Sequence, residues 1–183
     1  EHVTIRSTHH GPIVTDISTT LKRASVPFGA SMRWTGFEVG DQMEAFYKIN
    51  TAQNWDAFVA GVKEFPGPGQ NFVYGDTKGN IGYWCGAMLP LRSLQPSTTL
   101  PLAGWTRETE WRGFVPFEQL PHLYNPQEGF IATANNKIVD DAYPYHISDL
   151  WEPPSRIQRL REILGKDGKF EPRDFELLQN DQY

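Results

Sequence analysis

The sequence predicts an α+β fold on three observations. Glycine and proline account for 30 of 183 residues, about 16% against a usual 12%, an excess that turns between short strands absorb. The stretch "NFVYGDTKGNIGYWC" sets two β-rich runs around a glycine-containing turn, a hairpin signal. Three other stretches carry apolar residues at helical spacing, with capping residues where helices begin. No internal repeat or low-complexity segment interrupts this pattern.

The elements follow in chain order. Val3–Arg6 and Pro12–Val14 flank "STHHG" and read as two short strands around a turn, with Met32–Trp34 as a third strand. Asp41, with Glu44 three residues on, has the spacing of a capping box at a helix start, and Met43, Phe46 and Tyr47 fall on one face of that helix. Asn54 caps a second helix, whose stripe is Trp55, Phe58, Val59, Val62 and Phe65, spaced at helical period. "PGPG" at Pro66–Gly69 ends it. The hairpin then runs Asn71–Gly75 and Ile81–Cys85 across "DTKGN", where Gly79 suits a left-handed turn position. "MLPLRSLQPSTTLPLAGW" and "EWRGFVPFEQLPHLYNP" read as irregular, held to a core by their aromatic residues. Phe130–Ala134 is expected as a strand. In "PPSRIQRLREILG" a helix starts at Pro154 or Ser155, buries Ile157, Leu160 and Leu164, and stops at Gly165. A last helix covers Pro172–Leu178.

Composition narrows the function classes. The net charge is −5 and no basic run exceeds a few residues, so the electrostatic footprint of a nucleic-acid binder is missing. No apolar run approaches the roughly 18 residues of a transmembrane helix. The opening "EHVTIRSTHHG" and the closing "LQNDQY" make the chain read as a single segment, 1–183, cut from a longer protein. A lone cysteine, Cys85, cannot form an internal disulfide.

Residues that could carry chemistry were weighed against plainer roles. His9 and His10 are adjacent, and on a strand they would face opposite ways, so hydrogen-bonded surface histidines are expected rather than a metal site. No G-x-S-x-G elbow, H-E-x-x-H motif or phosphate-binding glycine loop occurs. Cys85 lies among aromatic residues with no basic neighbour, the setting of a small packed side chain. Asn135 and Asn136 end the expected strand. An asparagine amide there either turns the chain or donates to an oxyanion, and local sequence favours the turn. Arg156, in the first turn of its helix, opposes the helix dipole, which leaves a pairing with Glu152 or Glu162 and a functional role equally open. Asp149 alone is expected as a cap or surface charge rather than a metal ligand.

In combination, "RSTHHGPIVTD", "AFYKINTAQNWDAF", "NFVYGDTKGNIGYWCGAMLPLR", "EWRGFVPFEQLP", "YNPQEGFIATANN" and "SDLWEPPSRIQRLREIL" resemble the penicillin acylase family of N-terminal-nucleophile hydrolases over nearly the whole chain. The resemblance implies a four-layer αββα sandwich and a precursor that cleaves itself into two chains. The second chain then begins with a serine that attacks an amide through an acyl-enzyme. This chain resembles a middle portion of that second, or beta, chain, with the alpha chain and the start of the beta chain as its partners. Asn135 matches the side-chain oxyanion donor, which overturns the local preference for a turn and leaves Asn136 to shape the turn. Arg156 matches an arginine near the site, and Phe46 and Gln70 match positions of the acyl pocket. Gln70 departs from the aliphatic residue of the best-known penicillin G acylases. Asp149 matches a calcium ligand of members that hold that ion, so a structural calcium is allowed while the chemistry requires no cofactor. The implied substrate is a small N-acyl amide, and the implied parent is periplasmic or secreted. Because Glu1 is no nucleophile, the segment alone is expected to be inactive. The alternatives are an acyl-homoserine-lactone acylase of the same family and a non-catalytic β-rich binding or assembly module.

Overall fold

A computed structural model describes residues 4–23, 29–92, 99–166 and 168–182. Its first strands, β1 (Ser7–Thr8) and β2 (Gly11–Pro12), pair antiparallel with Ser7 opposite Pro12 and Thr8 opposite Gly11. Apart from Pro12, the strands fall inside the expected turn rather than on Val3–Arg6 and Pro12–Val14, which tightens the hairpin so that His9 and His10 are its two turn residues. Val3 lies outside the described residues. Met32–Trp34 does not form a strand: Ser31 makes one bridge to Ile13, Met32 N–H donates to the Pro12 carbonyl, and the chain then turns through a 3-10 helix at Thr35–Phe37. A short helix, α1 (Thr19–Arg23), precedes this segment and carries no apolar period that would announce it.

α2 (Gln42–Thr51) begins as its sequence dictates, with the Asp41 carboxylate accepting from Glu44 N–H at 2.9 Å. Its buried face differs from the expectation. Ala45 is fully buried, whereas Met43 and Tyr47 are 78% and 69% exposed. α2 lies close against the next helix, α3 (Trp55–Lys63), at Gly61, where an added Cβ would sit 2.9 Å from Ile49. α3 is capped by Asn54, whose side-chain carbonyl accepts from Ala57 N–H, and its stripe buries Phe58, Val62 and Phe65 as expected.

β3 (Gln70–Gly75) and β4 (Ile81–Gly86) form the anticipated hairpin, with Gln70 opposite Gly86 and Gly75 opposite Ile81. Gly79 takes φ +87°, a value that suits glycine. Asp76 organises the turn by accepting from Asn80 N–H, Asn80 Nδ2, Lys78 N–H and the Tyr74 hydroxyl. These donors, led by the Asn80 side chain, lower its pKa to about 2 against the opposing effect of desolvation. A depressed carboxylate pKa stabilises the fold above the unfolded-state value, near 3.9, and that contribution disappears as pH falls through the folded value. The stability gap between the parent and Asp76→Ala should therefore be constant above pH 5 and should shrink between about pH 4 and 2, as read from thermal unfolding.

Two segments expected to be irregular contain further strands. β5 (Pro90–Arg92) pairs with β6 (Trp111–Phe114), and β7 (His122–Tyr124) adds to β4 as the third strand of a β3-β4-β7 sheet. These strands are too short and proline-flanked to show an alternating pattern. The expected irregularity of residues 93–98 lies outside the described residues. Across the sheet, Phe58 and Val62 of α3 meet Trp84, Leu89, Val115 and Leu120 in one core. His122 stacks on Trp84 with ring centroids 4.1 Å apart while its Nδ1 donates to the Leu120 carbonyl.

Phe130–Ala134 is not a strand. Among the described residues, the backbone of 130–133 makes no backbone hydrogen bond, and Ala134 N–H donates to the Asn136 side chain instead. α4 (Ser155–Leu164) buries Ile157 and half-buries Leu160 and Leu164, with Gly165 at its end. α5 (Pro172–Gln179) follows, and Arg159 Nη2 holds Asp181 at 2.8 Å to join the two helices. No helix among the described residues is long and apolar enough to cross a membrane.

Candidate active site

The site is built on the turn that follows the unpaired 130–134 segment. Asn135 has φ +57°, a left-handed conformation that costs most residues roughly 1–2 kcal/mol and asparagine less. The left-handed position is thus Asn135, while Asn136, expected to shape the turn, does so through its side chain. Asn136 closes the turn with its side chain, accepting from Ala134 N–H at 3.0 Å and donating to the Lys137 carbonyl at 2.8 Å. The Asn135 carbonyl accepts from Glu152 N–H at 3.0 Å, so the turn is tied to the approach to α4.

Arg156 completes this frame. One guanidinium nitrogen, Nη2, donates to the Ala134 carbonyl and to Asn135 Oδ1, both at 2.9 Å. Its approach to Glu152 is longer, 4.0 Å, and Glu162 is taken by Arg159. A guanidinium has only donors, so the atom facing it must be the amide oxygen of Asn135. The amide nitrogen, with both its hydrogens, is directed elsewhere, and among the described residues it has no hydrogen-bond partner. The sequence singles out Asn135 and Arg156 separately; the structure joins them by a hydrogen bond, and the cation fixes which way the amide points.

Asn135 opens on a cavity of about 410 Å³ that Gln70, Cys85, Arg92, Trp111 and Trp151 also line. Gln70 stands at the start of β3 and shares a face of that strand with Phe72. Phe46 packs on Phe65 and Phe72, with centroids 5.4 and 6.1 Å away. It is thus coupled to Gln70 through Phe72 but does not itself line the cavity with Asn135. Asp149 also stands outside that lining. Its neighbours are the His146 ring, with Nε2 at 3.7 Å, and the Arg92 guanidinium, whose charge it supports. Among the described residues Asp149 belongs to no group of three convergent His, Cys, Asp or Glu ligands.

Burial pushes the Cys85 thiol pKa up, only partly offset by a hydrogen bond from Tyr83. A thiol so placed holds less thiolate at neutral pH, which agrees with a packing role. Sequence reasoning missed Arg33, Arg92 and Trp111. Arg33 and Arg92 lie over the Trp111 ring at 4.8 and 5.8 Å, and burial lowers the pKa of Arg92, whose Nη1 is buried without a partner among the described residues. The β5-β6 pairing sets Arg92 opposite Trp111, Arg33 reaches the same ring from the segment before the 3-10 helix, and no local motif announces either contact.

The penicillin amidase family model matches residues 1–183. Penicillin G acylase of Escherichia coli is 32% identical over 90% of this chain and 19% of its own length. The acyl-homoserine lactone acylase QuiP of Pseudomonas fluorescens (strain Pf0-1) is 28% identical over 97% of this chain and 21% of its own length. The structure of a thermostable penicillin G acylase from Alcaligenes faecalis superposes with a TM-score of 0.75 at 27% identity, covering 97% of this chain and 31% of that one. The chain spans about a fifth of the length of these curated relatives. Its mixed helix and sheet, with the matches running through every element, show that the chain belongs to the penicillin amidase family.

Proposed function

We propose that this chain forms the oxyanion-stabilising part of an amide hydrolase that removes the acyl group from an N-acyl substrate through an acyl-enzyme. The observation that carries this reading is the Asn135 amide, oriented by Arg156 at an open cavity with its nitrogen unengaged. A neutral donor fixed before the reaction lowers the energy of a developing oxyanion without reorganisation. In the reaction, a serine hydroxyl supplied by another segment of the parent protein attacks the amide carbonyl, with the serine's own α-amino group taking its proton. The carbonyl oxygen gains negative charge and meets Asn135 Nδ2–H. The C–N bond then breaks, the amine leaves with a proton, and water hydrolyses the acyl ester. The 183 residues alone carry no such nucleophile and are inactive in this reading. Gln70, and Phe46 through Phe72, shape the region that receives the acyl group. The names of the relatives put penicillins and acyl-homoserine lactones among the candidate substrates, and both carry an acyl group on an amide nitrogen. The same family reading makes the parent a self-processed precursor that is periplasmic or secreted.

The test is to mix the full-length, processed protein with phenylacetyl-4-nitroanilide or an N-acyl-homoserine lactone, quench in acid within milliseconds to seconds, and record intact mass. The expected result is a serine-bearing chain heavier by the acyl group less one hydrogen, and release of the free amine. A binding or assembly module would return the substrate intact and the protein mass unchanged.

A further inference from the structure

We propose that His9, His10 and Glu110 form a binding site for one divalent transition-metal ion of the zinc class. This site is distinct from the Asn135 turn and does not depend on the proposed hydrolysis. Adjacent histidines would diverge on a strand, but here both are turn residues of the β1-β2 hairpin, and their rings lie side by side with centroids 3.8 Å apart. Both Nε2 atoms aim at one oxygen, Glu110 Oε1, His9 at 3.0 Å and His10 at 2.7 Å. One donor atom from each residue lies within 4.8 Å of the other two. Ligand atoms about 2.0–2.1 Å from a tetrahedral zinc stand roughly 3.3 Å apart, so admitting the ion requires shifts of only a few tenths of an ångström in the two nitrogen–oxygen distances. Two neutral imidazoles and one carboxylate are a ligand set that zinc accepts while keeping a fourth position open.

The surroundings support a built site. The His10 side chain is 15% exposed and lies against Gly104, where an added Cβ would sit 3.3 Å from the ring atoms Cε1 and Nδ1. His9 is outside, 68% exposed, and can rotate to take up the shift. The three residues line one side of a cavity of about 540 Å³, walled by Leu102 and Trp105, which leaves room for a water or small ligand in the fourth position. Arg33, the nearest cation lining this cavity on the β2 side, has its charge met by Glu38 at 2.7 Å. Arg92 and Trp111 line both this cavity and the one at Asn135. A bound ion would therefore fasten the N-terminal hairpin to the segment that enters β6, and so brace a shared wall of the candidate active site.

The experiment uses the full-length protein stripped with a chelator and then titrated with Zn²⁺ by calorimetry and with Co²⁺ by visible absorption. The expected result is one saturable site assigned to these residues, with a four-coordinate Co²⁺ spectrum, a Zn²⁺-dependent rise in Tm, and at least tenfold weaker binding in both His10→Ala and Glu110→Gln. His9→Ala, which removes an exposed ring, gives the same reading if His10→Ala fails to fold. No saturable uptake would overturn the proposal, because the cluster would then be held by protons alone. Uptake left unchanged by all three substitutions would overturn it equally.

Discussion

Replacing Asn135 by alanine in the full-length protein should lower kcat by about 10²–10³, the equivalent of about 2.7–4 kcal/mol for one oxyanion donor, and should leave KM within a few-fold. The ground-state carbonyl bears little charge, so the lost hydrogen bond matters mainly in the transition state. Asn135 also holds φ +57°, and alanine there adds backbone strain. Asn135→Gly separates the two effects, since glycine adopts this angle freely. Both variants should lose kcat to the same extent, while only the alanine variant should lose stability. Arg156 retains the Ala134 carbonyl in either case, so the turn keeps one of its braces. Steady-state kinetics with circular dichroism would check both points, and a kcat within threefold of the parent in the glycine variant would remove Asn135 from the chemistry.

The largest effect on stability is expected at Trp84. Its ring is 8% exposed and lies flat between Phe117 and His122, 4.6 and 4.1 Å away centroid to centroid. Trp84→Ala should cost about 3–5 kcal/mol from lost transfer energy and the cavity left behind. Trp84→Phe should cost much less. Its ring keeps most of the stack, and it removes the indole Nε1–H, which among the described residues is buried without a partner and therefore unfavourable by about 1–3 kcal/mol. Chemical denaturation of the two variants side by side would measure this. Equal losses would mean that the indole N–H finds a partner in solution.

The reach of sequence reasoning differed among the elements for physical reasons. α3, the β3-β4 hairpin and α4 were legible because their signals are local: Asn54 caps, Gly79 turns, Gly165 stops, and the apolar stripes have a helical period. The rotation of α2 was not legible, because Ala45 is a weak hydrophobic signal and a good close-packing residue, while the bulkier Met43 and Tyr47 stay outside. β5, β6 and β7 each depend on a distant partner, and segments of 3–4 residues hold too little pattern to show it. At the candidate site, the family resemblance named Asn135 and Arg156 separately, and the hydrogen bond that joins them across 21 positions is visible only in the structure. The convergence of His9 and His10 was excluded on the premise that they sit on a strand, and it became visible only once the hairpin turn fell on them.

In the proposed acyl transfer the Asn135 amide nitrogen faces the reacting carbonyl oxygen while Arg156 holds the amide oxygen. A crystal structure of the full-length protein with a boronic acid that mimics the tetrahedral intermediate would show this arrangement. Asn135 Nδ2 should stand about 2.7–3.1 Å from the oxygen that represents the oxyanion, with Arg156 Nη2 still on Asn135 Oδ1. An oxyanion held entirely by other donors, with the Asn135 side chain turned away from it, would rule out this role for Asn135.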